Sequence, residues 1–392
     1  MSSAAINHRL HEFLAHGSRF VKAHPLLRRA FYDPAQRVLR PHFNSIEKLL
    51  YEAKRDKNVN ISPPPVSDYH PAYPWTIGII RDPYYNYESF ILACRELKVA
   101  YRTIDLFAAD WVRQVRLSAC AAYVVWPSES IPEWKRLYDE RLRFLTVEMG
   151  GFLYPPYGAL WLYASKQCQH DWLEIHGFDH PRTWVFYEEA DAIAFLRRAD
   201  MPLVAKLDIG SSAQAIWILY TSAEAARLVR KAFRKGLFGK RMDRRARQWR
   251  HLLFQEYLPD IREWRMIRIG DSYFGHEKGK AGKFHSGSGV VGWYDPPRAA
   301  LDLLHIITET GGFRSMAMDV FERPDGHLLV NELQSVFGAI DTAQMYINGV
   351  PGRYRRTDAG YQFEEGRFCR NACCNLRITD LLSLLKYRAN HG

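Results

Sequence analysis

No stretch of about 18 apolar residues exists among the 392 residues, so no transmembrane helix is expected. The longest apolar run, residues 119–126, suits one buried strand. The first residues, MSSAAINHRLHEF, lack the apolar core of a secretory signal, and the expected location is cytoplasmic. Cysteine is scarce, six in all, too few for a disulfide scaffold in a chain of this length. Cys369, Cys373 and Cys374 cluster without a CxxC pair or matching histidines, so the cluster carries no zinc-site signature. The strand–helix unit at 71–165 has no GxGxxG turn, which removes support for a Rossmann dinucleotide site there. No internal repeat is evident.

What is present is the profile of a globular protein: 47% apolar and 25% charged residues. The net charge of +11 is concentrated. Residues 227–250 hold eleven Lys or Arg against one acid, Asp243. The rest of the chain is nearly neutral. This segment reads as a solvated helix and loop, or as a docking surface for an anionic partner. Nucleic acid is disfavoured, because no recognised binding motif accompanies the charge.

The pattern along the chain predicts an α/β protein with α+β lobes. Residues 1–70 read as a helical extension, with a second helix over 44–56, closing in a proline-rich linker at 62–74. Strands are expected at 75–80, 99–104 and 121–126, and helices at 87–97 and 132–143. That alternation implies a parallel sheet over 71–165. From residue 166 the character changes. A helix over 166–176 precedes short strands at 202–207, 215–220, 252–257, 263–269, 315–321 and 327–333, several alternating as antiparallel strands do. Lobes are expected at 166–258 and 259–392.

Three segments carry candidate chemistry. Lys206 interrupts the apolar strand PLVAKL just before a small-residue turn holding Ser211 and Ser212, whose N–H groups suit phosphate oxygens. A solvent-facing lysine is the plainer reading. In LLFQEYLPDIREWRMIRIG, Glu263 and Arg265 share one strand face, as a cross-strand salt bridge also would. In SMAMDVFERPDGHLLVNELQS, two apolar strands flank the turn Arg323-Pro324-Asp325-Gly326. Asp319 lies in the first strand, Glu332 and Gln334 on one face of the second. Carboxylates there are costly unless paired or metal-bound; hard oxygen donors suit Mg²⁺.

In this order the segments resemble the ATP-grasp superfamily of carboxylate–amine ligases. The resemblance covers residues 166–338 and includes the helix with Lys166 followed by Gly177-x-x-x-Pro181-x-Thr183. It implies an ATP-grasp fold behind an N-terminal parallel α/β domain, with ATP and Mg²⁺ as cofactors. Lys166 and Lys206 would contact the phosphates, with Ser211 and Ser212 in the closing loop. Glu256 and the backbone at Tyr257 and Leu258 would hold adenine; Glu263 would take the ribose hydroxyls. Arg265 would bind the carboxylate or acyl phosphate. Asp319, Glu332 and Gln334 would hold the metal. Two departures stand out. Gln334 replaces the family's usual asparagine. Lys278 is the nearest cation where the family often has arginine, which keeps the charge and loses the fork.

The implied reaction joins a small-molecule or polymer-linked carboxylate to an amine, with ADP and phosphate released. Phosphotransfer to a hydroxyl and ATP binding without turnover remain open, as does a homodimer. The glycine-rich stretch 279–292, with His285 and Ser286, reads as a lid or as a plain loop.

Overall fold

The computed structural model describes residues 66–82, 87–128, 131–210, 215–239, 245–279, 291–337 and 344–391. The expected extension up to residue 65, the Ser211–Ser212 turn and most of the 279–292 stretch lie outside them. All described residues except Gly279 belong to one compact unit.

The first layer is parallel throughout. Strands β1 (Thr76–Arg81), β2 (Ala100–Asp105), β3 (Ala122–Val124) and β4 (Leu153–Tyr154) stand in the order β2-β1-β3-β4. Helices α1 (Tyr87–Glu96), α2 (Trp111–Ser118) and α3 (Pro132–Arg143) connect them. Ile77, Ile79 and Ile80 of β1 are buried, as expected when both faces of a parallel strand are covered. Gly78 sits among them because the Tyr123 ring of β3 lies over it; a Cβ there would come within 2.3 Å of that ring.

The linker expected through residue 74 is partly pinned to this sheet. Ser67 N–H donates to Tyr101 O (3.2 Å) and Ala72 N–H to Lys98 O (2.8 Å). The Tyr69 hydroxyl also donates to Cys94 O (3.1 Å). Prolines exclude a regular ladder, but the N–H groups between them still find partners.

Helices α4 (Tyr157–Leu162) and α5 (Lys166–Ile175) lead into the second layer. It comprises β5 (Thr183–Phe186), β6 (Leu203–Lys206), β7 (Ile216–Leu219) and β8 (Leu252–Glu256), ordered β5-β8-β6-β7 and antiparallel. Helices α6 (Glu189–Leu196) and α7 (Ser222–Lys235) share its core. In α7, Ala225, Val229 and Ala232 recur at helical spacing and are buried. Thr221 caps its N-terminus through Glu224 N–H at 3.2 Å. Much of the basic segment is thus the outer face of an amphipathic helix, with Arg227, Arg230, Lys231, Arg234 and Lys235 exposed.

The third layer is a larger antiparallel sheet. Its strands are β9 (Arg262–Ile269), β10 (Ser272–Lys278), β11 (Val291–Gly292), β12 (Ser315–Glu322), β13 (Leu328–Gln334), β14 (Tyr346–Ile347), β15 (Val350–Thr357) and β16 (Gly360–Glu365). The order is β13-β12-β9-β10-β15-β14, with β11 on β10 and β16 on β15. Helix α8 (Arg298–Thr310) buries Ala300, Leu301, Leu304 and Ile307 in this sheet's core with Trp264, Met266 and Met318. Helix α9 (Cys374–His391) returns to the first layer, where Ile378, Leu381 and Leu382 join the core of β1 and α1. Cys369, Cys373 and Cys374 are buried. No helix among the described residues is long and apolar enough to cross a membrane.

Candidate functional site

Register assembles the polar face of the large sheet. Arg265 on β9 lies opposite Asp319 on β12 and His276 on β10. Asp319 in turn lies opposite Glu332 on β13, and Ala317 opposite Gln334. Alternation along each strand then puts Glu263, Arg265, His276, Lys278, Asp319, Glu332 and Gln334 on one face. The opposite face carries Trp264, Met266 and Met318 into the core.

On that face the predicted residues partner each other. Arg265 donates to Asp319 through Nε (2.8 Å to Oδ1) and Nη2 (2.9 Å to Oδ2). Lys278 Nζ donates to Asp319 Oδ2 at 2.8 Å and also to Glu263 Oε1. Burial alone would raise the Asp319 carboxyl pKa; Arg265 and Lys278 outweigh it and hold the group well below the usual range. Glu263, expected at ribose hydroxyls, is buried and paired with Lys278. Glu332 is half-buried and has no hydrogen bond or ion pair among the described residues.

Lys206, expected from its interruption of an apolar strand, ends β6 and is buried. Its Nζ donates to Asn331 Oδ1 at 3.0 Å, linking the second layer to the third. Burial, then the charge of nearby Lys166, lowers its pKa from 10.5 to about 8. Asn331 is reached because the β12–β13 register shifts after Asp319, so that Asn331 has no partner of its own on β12. Lys166 opens α5 and donates to Gly210 O (2.6 Å) and Asp208 O (3.3 Å) at the edge of the Gly/Ser turn. Asp208 in turn accepts from Ser165 Oγ (2.9 Å) and Gln167 N–H (2.8 Å), tying the segment just after β6 to that helix start.

At the end of β8, Glu256 is claimed from within. It accepts from Arg182 N–H and from Arg182 Nε, both at 2.8 Å. The carboxylate assigned to adenine thus anchors β8 to the chain before β5. The backbone of Tyr257 and Leu258 takes no hydrogen bond among the described residues.

Several groups at the site carry no spacing signal in the sequence. His276, opposite Arg265, is buried with Nδ1 unpartnered among the described residues. Burial, then the Arg265 charge, lowers its pKa from 6.5 to about 3, so it is neutral near pH 7. Arg182 and Asn331 were missed because their partners are 74 and 125 residues away. A cavity of about 20 Å³ lies between Lys166, His170, His180, Lys206, Gln255 and Asn331.

The sequence matches no known family model and no curated protein. Its fold has relatives among solved structures. D-alanine–D-alanine ligase from Bacillus anthracis superposes with a TM-score of 0.50 at 11% identity, over 81% of this chain and 100% of the ligase. A RimK domain protein, ATP-grasp, from Sphaerobacter thermophilus DSM 20745 gives 0.45 at 16%, over 66% and 90%. N5-carboxyaminoimidazole synthetase from Staphylococcus aureus complexed with ADP gives 0.47 at 13%, over 71% and 72%. With a parallel sheet followed by two antiparallel ones, and likeness over the whole length of the Bacillus ligase, this chain is a protein of the ATP-grasp fold.

Proposed function

We propose that the chain is an ATP-dependent ligase that activates a carboxylate by phosphorylation and passes the acyl group to an amine. The observation that carries this reading is the convergence of Lys166, Lys206 and the charged face of β9, β10, β12 and β13, with Lys206 joined to Asn331 across 3.0 Å. A carboxylate oxygen leaves badly. Attack of that oxygen on the γ-phosphorus of ATP breaks the bond to the bridging oxygen, and ADP departs with the electron pair. The amine then adds to the acyl carbon, loses a proton and expels phosphate.

Each group has a task in that sequence. Lys166 and Lys206 offset the charge spread over the phosphoryl oxygens. The backbone of Tyr257 and Leu258, without a hydrogen bond among the described residues, suits the edge of a base. Arg265 offers a planar fork to a carboxylate or acyl phosphate. A Mg²⁺ ion bound here would offset phosphoryl charge and orient the phosphates. Its donor set fits: Glu332 and Gln334 are hard oxygen donors on one strand face, and Asp319 stands opposite Glu332. Asp319 Oδ1 accepts one hydrogen bond, from Arg265 Nε, and keeps a second lone pair for a cation.

ATP binding without turnover is the second reading, and one observation favours it. Asp319 is paired with both Arg265 and Lys278, so the charge of the carboxylate most needed for a metal is offset within the protein. Product analysis separates the readings. An amide with ADP and free phosphate supports the ligase. A phosphorylated hydroxyl acceptor would make the chain a kinase, and bound but intact ATP would favour the second reading. For the basic segment, the exposed cations of α7 support docking of an acidic or polymer-linked substrate.

A further inference from the structure

A second cluster of metal-ligating side chains lies at the back of the lysine cavity, away from the carboxylates of the large sheet. His170 and Glu174 are one turn apart on α5, so they project from the same helix face. His180 follows on the extended segment before β5. His170 Nδ1 and His180 Nε2 are 2.9 Å apart, and His180 Nε2 lies 3.5 Å from Glu174 Oε2. The three donor atoms all fall within 4.8 Å of one another. Donors on a tetrahedral zinc ion at ordinary bond lengths are separated by about 3.3 Å; the two measured separations bracket that value.

Both elements are fixed. Gln169, beside His170, accepts from Leu333 N–H (3.0 Å) and donates to Leu162 O (2.9 Å). Asp179, beside His180, accepts through its carbonyl from Val330 N–H at 2.9 Å. His180 Nδ1 lies 2.8 Å from Phe178 O. A carbonyl only accepts, so Nδ1 carries a proton, and in the neutral imidazole Nε2 presents a lone pair toward His170. A backbone carbonyl on the outer nitrogen is the arrangement that orients histidine ligands in metal sites. The far nitrogen of His170 faces the Asp171 carboxylate at 3.9 Å.

We propose that His170, Glu174 and His180 bind one divalent d-block ion of the zinc class, beside the cavity that Lys166 and Lys206 line. Two imidazoles and a carboxylate suit such an ion better than Mg²⁺ or Ca²⁺, which take oxygen. Binding needs one internal proton shift. The proton that His170 Nδ1 donates toward His180 passes to His170 Nε2, on the Asp171 side, and none is released. Three protein ligands leave a fourth position open. The cavity of about 20 Å³ alongside is large enough for one water. The two histidine side chains are 17% and 10% exposed and the glutamate 70%, so the ion would enter from the glutamate side. Bound there, it would clamp the helix that carries Lys166 to the segment leading into β5.

The test uses the full chain, stripped with chelator and titrated with Zn²⁺ by calorimetry and with Co²⁺ by visible absorption. Excess Mg²⁺ is present to occupy oxygen sites. One equivalent of Zn²⁺ per chain is expected, with a Co²⁺ d–d spectrum of low coordination number. Affinity should fall by at least about tenfold in both Glu174→Gln and His180→Ala. Glu174 is exposed, so its variant decides the matter even if the histidine variant fails to fold. Absence of stoichiometric binding, or unchanged affinity in Glu174→Gln, would overturn the proposal.

Discussion

Arg265 and Asp319 face each other across β9 and β12 as a two-point ion pair, at 2.8 and 2.9 Å, and Lys278 closes on the same carboxylate at 2.8 Å. Asp319 is 2% exposed, so this is a buried charge cluster. Removing the anion leaves two cations without their main counter-charge. Asp319→Ala should therefore lower the unfolding free energy by about 3–5 kcal/mol. Urea unfolding of the variant checks this. A loss under about 1 kcal/mol would mean that the cluster contributes no more than a surface pair.

Glu332 is the contrasting case. Its carboxylate has no ion pair among the described residues, so Glu332→Ala should leave the urea midpoint nearly unchanged. If it holds the metal, turnover should fall by on the order of 10²–10³, the equivalent of several kcal/mol of lost charge stabilisation. Wild-type MgATP turnover in that variant would remove Glu332 from the proposed metal site.

The Lys206 shift gives a pH signature. Its folded value of about 8 lies below its ordinary 10.5. Between those values the unfolded chain holds a proton that the folded chain has released, so stability attributable to this group rises with pH across that window. Below about pH 8 both states are protonated and the contribution is flat. Lys206→Met should flatten the slope between pH 8 and 10.5 when unfolding midpoints are compared. Identical slopes would mean that the lysine is not shifted. Nucleotide affinity should move the opposite way, weakening above about pH 8 as the charge is lost.

Reversing charge on the exposed face of α7, as Arg227→Glu, Arg230→Glu and Lys231→Glu together, should raise KM for an anionic acceptor and leave kcat unchanged. The wild-type KM should also rise with salt. Unchanged KM for every acidic substrate would leave the segment as a solvated surface. Arg245 and Arg247 are less suited to docking. Arg245 lies over Trp134, and Arg247 over Phe238 and Trp249.

Where a local signal exists, the sequence was readable. The apolar run of β1, the RPDG turn between β12 and β13 and the helix from Lys166 to Gly177 carry their own punctuation. β10 did not: SYFGHEK mixes a glycine, a histidine and two charges in a strand whose alternation serves a polar face. α9 was also missed, because its apolar positions answer to α1, nearly 300 residues earlier in the chain. Residue types at the site were legible, since carboxylates in apolar strands need an explanation. Their partners were not. Nothing local marks Arg182 as the clamp on Glu256, or the register shift that brings Asn331 to Lys206. Nor does it mark the pairing of Arg265 and Lys278 with Asp319.

Hydroxylamine trapping decides whether an acyl phosphate forms. The full chain would be incubated with MgATP, hydroxylamine and a panel of carboxylates, with ADP release followed and products read by mass spectrometry. ADP release and a hydroxamate with one class of carboxylate are expected from the wild type, and neither from Glu332→Ala. ADP release accompanied by a phosphorylated hydroxyl compound and no hydroxamate would rule out the acyl phosphate and leave a kinase.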